Sequence, residues 1–467
     1  MNGKRIVVVG AGSHFCVGLN ESFIDYARDT LPGTNIVLLD IHEQRLKIVY
    51  DYSCRLASAV GADITFEMTT NRRQAFEGAD FILTTFRPGS FEQQEQDESI
   101  PPKYGLQGNE TVSIGGMFMC CRVVPILKEM CADAQELCPD AWIINYTNPT
   151  NYVADAVRRI SDLKCISLCD SYVKVPLDLA RLLDVDPGDI KIYLAGTNHA
   201  TWVMRMTIEG QDGYPILAER LNQLSWDEVE ALYDHSPNHK VEFLGDYYDF
   251  NEIYEQFVPH YRFDDSLRLF KIYGLLPQPR YYWRYHLDQD ALIQEQMSGK
   301  YITMAAFYLK HRVPRVFDGL EERLARTSEK LQTPRREGGG GHGDLAVRVM
   351  NAIINDIGEI FAVNVPNRGA ISNLPFEAIV DITAMVDQTG AHPFAVGPLP
   401  KEIVGYQYSL VLAQELAVDA ALSGSRDELL KAIVAHPLIN SVDAAEKAMD
   451  ELLALQANWL PQFQPQF

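Results

Sequence analysis

The chain has 467 residues, 47% of them hydrophobic, and a formal net charge of −22. That length can bury more than one small core, and the acidity argues against a phosphate-backbone partner, because nucleic-acid binding needs clustered Lys and Arg. No run of eighteen apolar residues is long enough to span a membrane, and the opening residues show no secretory h-region, so a cytoplasmic protein is expected, without nucleic-acid or membrane partners.

In chain order, "RIVVVGAG", "NIVLLDIH", "DITFEMTT", "DFILTTFRPG", "AWIINYTNP" and "KCISLCDS" read as strands separated by amphipathic helical stretches such as Glu43 to Val60. Short apolar runs in that rhythm imply βαβ units and a buried parallel sheet. The expected fold is α/β: a Rossmann-type domain over residues 1–195, then a larger α+β catalytic and oligomerisation domain over 196–467. In "VVVGAGSHFCVGL", Gly10, Gly12 and Ser13 sit where a strand turns into a helix, and backbone N–H groups there can approach a pyrophosphate. The fingerprint is a variant, because Phe15 stands at the usual third glycine and Gly18 comes late. Asp40, at the end of "IVLLD", is placed to bind ribose hydroxyls and repel a 2′-phosphate, which favours NAD over NADP.

All eight cysteines lie in the first 170 residues, a poor framework for disulfides, and they read as reduced. Cys169 and Asp170 follow a strand end, and His199 stands in "AGTNHATW". The thiolate and imidazole are candidate ligands for one divalent cation, with open positions for substrate oxygens. They also fit a buried strand-end thiol and a core imidazole, and Asp170 fits a helix cap. Further on, Gly213 to Gln294 is rich in Tyr, Trp, His and Pro and suits pocket walls. "EGGGGHGD" (337–344) reads as a flexible loop entering a helix, and "YQYSLVLAQELAVDAAL" and "AAEKAMDELLAL" carry helical periodicity.

Taken together, "GAGS", the Asp97–Glu98 pair with "IPPKYGLQGNETVSIGG", "NYTNP", "LCDS", "GTNHATW", "NVPNRGAISNLP" and "HPL" resemble glycoside hydrolase family 4 over nearly the whole chain. The resemblance implies an NAD- and divalent-metal-dependent glycosidase, with manganese as the expected metal and a homodimer or homotetramer as the expected assembly. It implies redox-neutral hydrolysis of a small-molecule glycoside: oxidation of sugar C3, abstraction of the C2 proton, elimination, water addition and re-reduction. On the family's pattern Cys169 and His199 hold the metal, and Asn148 binds sugar hydroxyls. Asp170 protonates the leaving group, and Tyr282 in "LLPQPRYYWRYHLD" is the base, with Tyr281 and Tyr285 as alternatives.

Many relatives of that family act on sugar 6-phosphates and carry an Arg where Gln94 stands here. An unphosphorylated hexoside or uronide is therefore expected, α-linked on the ground of Asp170 alone, while Arg87, Lys174 and Arg284 keep a 6-phospho-α-glycoside open. Two other readings share the first strand-helix turn: a lactate/malate-type dehydrogenase, which would form net NADH, and a nucleotide-binding sensor, in which Cys169 and His199 would be dispensable.

Overall fold

The computed structural model describes residues 3–233, 241–243, 246–248, 263–278, 282–299, 302–333, 335 and 342–464. The first six apolar runs form β1 (Arg5–Val9), β2 (Thr34–Leu39), β3 (Ile64–Thr69), β4 (Phe81–Thr84), β5 (Trp142–Asn145) and β6 (Lys164–Ser167). They pair in parallel in the order β3-β2-β1-β4-β5-β6. This is the doubly wound order, in which the chain reverses beside β1 and leaves a crevice beyond the carboxyl ends of β1 and β4. Helix α1 (Phe15–Tyr26) follows β1, and α2 (Glu43–Val60) spans the expected amphipathic stretch. β3 is not the fully buried strand expected: it lies at the sheet edge, and most of its residues are partly or fully exposed.

The sheet does not stop at β6. The second half of the chain contributes β7 (Ile190–Thr197), β8 (Ala200–Ile208), β9 (Gln211–Asp212), β12 (Leu276–Gln278), β13 (Glu359–Pro366), β14 (Ile379–Asp387) and β15 (Gly390–Pro393). A separate hairpin pairs β10 (Val241–Phe243) with β11 (Asp246–Tyr248). Beyond β6 the order continues β13-β14-β7-β8-β12, now antiparallel, with β15 and β9 beside it, making a sheet of 13 strands. The join is narrow, with Asn364 of β13 opposite Ser167 of β6.

A transverse row of polar residues crosses that join. Thr84, Asn145, Ser167, Asn364, Asp381, Gly196, Thr201 and Gln278 are successive register partners across eight neighbouring strands. Register partners project to the same face of a sheet, so their side chains form one file. Apart from Gly196, each is at most 3% exposed. Buried polar groups need partners, and most here find them within the file. Thr84 Oγ1 donates to Asn145 Oδ1 at 2.6 Å, Asn145 Nδ2 donates to Ser167 Oγ at 3.0 Å, and Thr201 Oγ1 donates to the Gln278 carbonyl at 3.0 Å. Asn364 is the exception, its side-chain nitrogen and oxygen both lacking a hydrogen-bond partner.

The C-terminal third is helical as its periodicity predicts: Lys401–Ser423, Arg426–Ala435 and Val442–Leu455. These helices close a second core over the long helix Ser113–Leu137. The Gly-rich run lies outside the described residues up to 341, while His342 to Asp344 already form the first turn of helix His342–Asn355. The earlier part of the aromatic stretch packs into a core instead of lining a pocket. Tyr214 stacks on Phe270 and Tyr233 meets Phe263, both inside a satellite core. All eight cysteines are free thiols, and among the described residues no helix is long and apolar enough to cross a membrane.

Candidate active site

The dinucleotide turn is built by backbone approach. Gly10 adopts φ +87°, and a Cβ there would lie 2.7 Å from Phe86 Cα and 2.8 Å from the Thr85 carbonyl oxygen. Only glycine suits both the conformation and the space. Ser13 Oγ accepts the Phe15 N–H at 3.3 Å, at the entry to α1. The Asp40 carboxylate accepts N–H groups from Gly12 and from His42, each at 2.8 Å. It therefore fixes the glycine turn as well as placing a negative charge at the end of β2. A cradle closed to any Cβ, ahead of a helix N-terminus and beside a carboxylate, fits a dinucleotide.

The second cluster lies where the chain leaves β6 and where β7 turns into β8. Cys169 and Asp170 follow β6, and Asn198 and His199 form a two-residue turn between the paired Thr197 and Ala200. The Cys169 thiol donates to Ser171 Oγ at 3.2 Å, and Ser171 also accepts from Gln278 Nε2 at 2.8 Å. Burial, and next the charges of Asp170 and Asp381, push the thiol up to about 12. Asn198 Nδ2 donates to Asp381 at 3.1 Å, while Asn198 Oδ1 is buried without a partner. Asp381 itself is raised to about 6 by burial, and no ion pair among the described residues involves it. Burial lowers His199 to about 4, which keeps its imidazole neutral, the form that binds metals.

The buried thiol and the neutral imidazole are donors of the kind a divalent cation takes, and the carboxylates of Asp170 and Asp381, near enough to act on the thiol, bias the site negatively. Among the described residues no three His, Cys, Asp or Glu side chains cluster as a metal site, so the protein itself offers few donors.

The turn bearing His199 is held tightly. His199 adopts φ +60°, a conformation that costs a non-glycine residue about 1–3 kcal/mol. Gln407, from helix Lys401–Ser423, accepts the Thr197 N–H at 2.8 Å and donates to the Ala200 carbonyl at 2.5 Å. His286 Nε2 lies 2.9 Å from the His199 carbonyl oxygen, and its Nδ1 lies 2.8 Å from the Tyr406 hydroxyl.

Tyr282 is 3% exposed, packed against Trp202 at 5.1 Å and His286 at 4.5 Å between ring centroids. Burial pushes its phenol well above the ordinary tyrosine range, so it would act as a base only beside a positive charge. The Tyr285 carbonyl accepts from Gln107 Nε2 at 3.0 Å, whereas Tyr281 lies outside the described residues. Asn148 is half-buried at the end of β5, its Oδ1 accepting from Thr150 Oγ1 at 3.3 Å.

Of the cationic candidates, Arg87 pairs with Glu110 at 2.5 Å and lies over the Phe91 ring. Phe91 stacks on Tyr308, and Arg312 covers that ring from 5.1 Å. Arg312 carried no sequence signal, being isolated from every motif. Lys174 precedes the helix Val175–Leu183, and the Arg284 side chain lies outside the description. Gln94 is fully buried and donates to Glu98 at 2.6 Å. Sequence reasoning also missed Ser171, Asn198, Asp381, His286 and Gln407. Ser171, Asn198 and His286 stand inside quoted motifs, but Asp381 and Gln407 reach the site only through folding.

Two family models match the chain. One, described as family 4 glycosyl hydrolase, covers residues 5–185, and the other, its C-terminal domain, covers 194–439. A probable 6-phospho-beta-glucosidase from Bacillus subtilis (strain 168) is 30% identical over 99% of this chain and 98% of its own. A solved 6-phospho-alpha-glucosidase from gut microorganisms, in complex with NAD and Mn2+, superposes with a TM-score of 0.82 at 25% identity, covering 98% of this chain and 99% of that one. A lactate dehydrogenase from a deep-sea metagenome shares the fold alone, with a TM-score of 0.52 at 13% identity over 90% of this chain and 100% of that one. The two family models and the full-length match lead to one conclusion: the chain belongs to the family 4 glycosyl hydrolases.

Proposed function

We propose that this protein hydrolyses an α-linked hexoside or uronide by redox-assisted elimination, with NAD and a divalent cation, manganese by preference, as cofactors. The observation that carries the reading is the meeting of Cys169, Asp170 and the Asn198–His199 turn in one negatively biased site on a sheet whose other half holds the dinucleotide cradle. When bound, NAD would supply a hydride acceptor and donor for the sugar, and a cation would supply Lewis acidity beside it. Gly10, Gly12, Ser13 and Asp40 hold the dinucleotide; Cys169 and His199 hold the cation.

The remaining steps belong to side chains. Asn148 orients sugar hydroxyls, since an amide both donates and accepts. Tyr282 removes the C2 proton, and Asp170 gives its proton to the departing glycosidic oxygen. Water then adds at C1 and Tyr282 returns a proton to C2, and a dinucleotide that takes and returns one hydride would leave no net NADH. The division into a cofactor-binding part over 1–195 and a catalytic part over 196–467, and a homodimeric or homotetrameric assembly, belong to the same reading.

A lack of phosphate on the substrate is supported by Gln94, which is committed to Glu98 and offers no cation. A 6-phospho-α-glycoside is the second reading, favoured by the guanidinium groups of Arg87 and Arg312 on the Phe91–Tyr308 stack. The test is a panel of nitrophenyl α- and β-glycosides, with and without a 6-phosphate, assayed with NAD, Mn2+ and reductant while NADH is followed. Nitrophenol release without NADH accumulation is expected, greatest with unphosphorylated α-sugars. Stoichiometric NADH from a hydroxy acid, with no phenol released, would overturn the reading in favour of a dehydrogenase.

A further inference from the structure

We propose that His286 is a positioning residue that locks the His199 turn and the Tyr282 ring into one unit, and that Tyr406 anchors its Nδ1. This rests on the reading of His199 as a cation ligand and Tyr282 as the base.

The argument starts from hydrogen-bond chemistry. A carbonyl oxygen only accepts, so the His286 nitrogen 2.9 Å from the His199 carbonyl, Nε2, must carry a hydrogen. A neutral imidazole then has a bare Nδ1, which accepts the Tyr406 hydroxyl proton across 2.8 Å. Tyr406 is held by helix Lys401–Ser423, whose next residue, Gln407, grips the same turn at Thr197 and Ala200. Two consecutive residues of one helix thus control the turn, one directly and one through His286. His199 sits in a strained left-handed conformation, so a hydrogen bond to its carbonyl helps hold the turn that carries its imidazole.

The same ring reaches the other candidate. The centroids of His286 and Tyr282 are 4.5 Å apart, with planes tilted by 36°, and Tyr282 also packs edge-on against Trp202. His286 and Tyr282 lie one helical turn apart in the short helical segment beginning at Tyr282. A shift of the His286 ring would therefore move a donor and a base together. Supporting groups of this kind are known to govern metal affinity.

Three variants of the full chain test this, with Mn2+ affinity read from free Mn2+ by electron paramagnetic resonance, NAD affinity by fluorescence quenching, and folding by thermal melting. His286→Phe keeps the ring against Tyr282 but loses both hydrogen bonds. It should weaken Mn2+ binding at least tenfold and leave NAD affinity within about twofold, the size of effect seen when supporting groups of metal sites are removed. His286→Gln can still donate to the His199 carbonyl and should recover most of the Mn2+ affinity, yet exchange of the substrate's C2 hydrogen with solvent should stay slow because Tyr282 has lost its ring neighbour.

Tyr406→Phe, which leaves His286 in place, should weaken Mn2+ binding by a few-fold and serves as the deciding variant if His286→Phe does not fold. Wild-type Mn2+ affinity in His286→Phe or Tyr406→Phe overturns the proposal, as does a loss of NAD affinity as large as the loss for Mn2+. Failure of the underlying reading looks different: the wild-type protein itself would bind no Mn2+.

Discussion

Single residues separate the proposed acid from the proposed base. Asp170→Asn should slow glycosides with poor leaving groups by about 100-fold or more and activated nitrophenyl glycosides far less, because a phenolate departs without a proton. Tyr282→Phe should slow all leaving groups alike and abolish exchange of the C2 hydrogen with solvent deuterium. Rates for a leaving-group series, with proton NMR of the product at C2, distinguish the two, and a Tyr282→Phe enzyme with wild-type C2 exchange moves the base elsewhere.

Gly10 is a test of the cofactor cradle. Gly10→Ala places a Cβ against Phe86 backbone at φ +87°, and should cost about 1–3 kcal/mol of stability and most of the NAD affinity. Calorimetric melting and NAD titration check it; unaltered NAD binding would place the pyrophosphate away from this turn. These positions were legible in the sequence because their chemistry is local: a glycine after a strand, and a cysteine beside an aspartate. What the sequence left hidden is the electrostatic setting, since the Asp381 charge beside Cys169 comes from a strand more than two hundred residues away.

At the scale of elements, two motifs of the family resemblance turn out to carry structure. Asp97 forms a fully buried ion pair with Arg122 of helix Ser113–Leu137 at 2.5 Å, and Gln456, just beyond the last long helix, donates to the same carboxylate at 2.9 Å. Removing one partner strands a buried charge, so Arg122→Leu should destabilise the protein by about 3–5 kcal/mol. Denaturant unfolding measures this, and a loss under about 1 kcal/mol would mean that Asp97 is protonated in the native state.

Its neighbour Glu98 is raised to about 8, first by burial and next by Glu110, against hydrogen bonds from Gln94 and the Ala305 N–H. A carboxyl raised in the folded state binds its proton more tightly there than in the unfolded chain. Its contribution to stability is full below about 4.5, declines as pH rises, and is lost above about 8, with a slope of at most about 1.4 kcal/mol per pH unit. Glu98→Gln should flatten the stability profile between those limits; an unchanged slope in chemical unfolding at several pH values would remove Glu98 as its source. "VSIGG" has a similar explanation: a Cβ on Gly116 would meet the Thr111 carbonyl oxygen at 2.3 Å, so the glycine serves backbone packing.

For the whole molecule, the bound state should be measurably more stable than the free one. NAD at a hundred times its dissociation constant adds about 2.7 kcal/mol, and NADP at the same concentration should add much less, because Asp40 opposes a 2′-phosphate. Thermal shift with both nucleotides checks this, and equal shifts would argue against the assignment of Asp40.

Sequence alone determined the parallel half of the fold, since a βαβ rhythm with apolar runs of four to six residues has few other solutions. It also determined the glycine turn, and it offered Cys169 and His199 as candidate metal ligands. Tertiary structure decided the rest, because the deciding contacts join residues far apart in the chain. The continuation of the sheet through Asn364 and Ser167 sets Asp381 beside the Asn198–His199 turn. Packing of helix Lys401–Ser423 brings Tyr406 and Gln407 to the same turn. No local pattern encodes such meetings, because a lone Asn in a strand or a Tyr on a helix reads the same whether it faces solvent, core or a buried carboxylate.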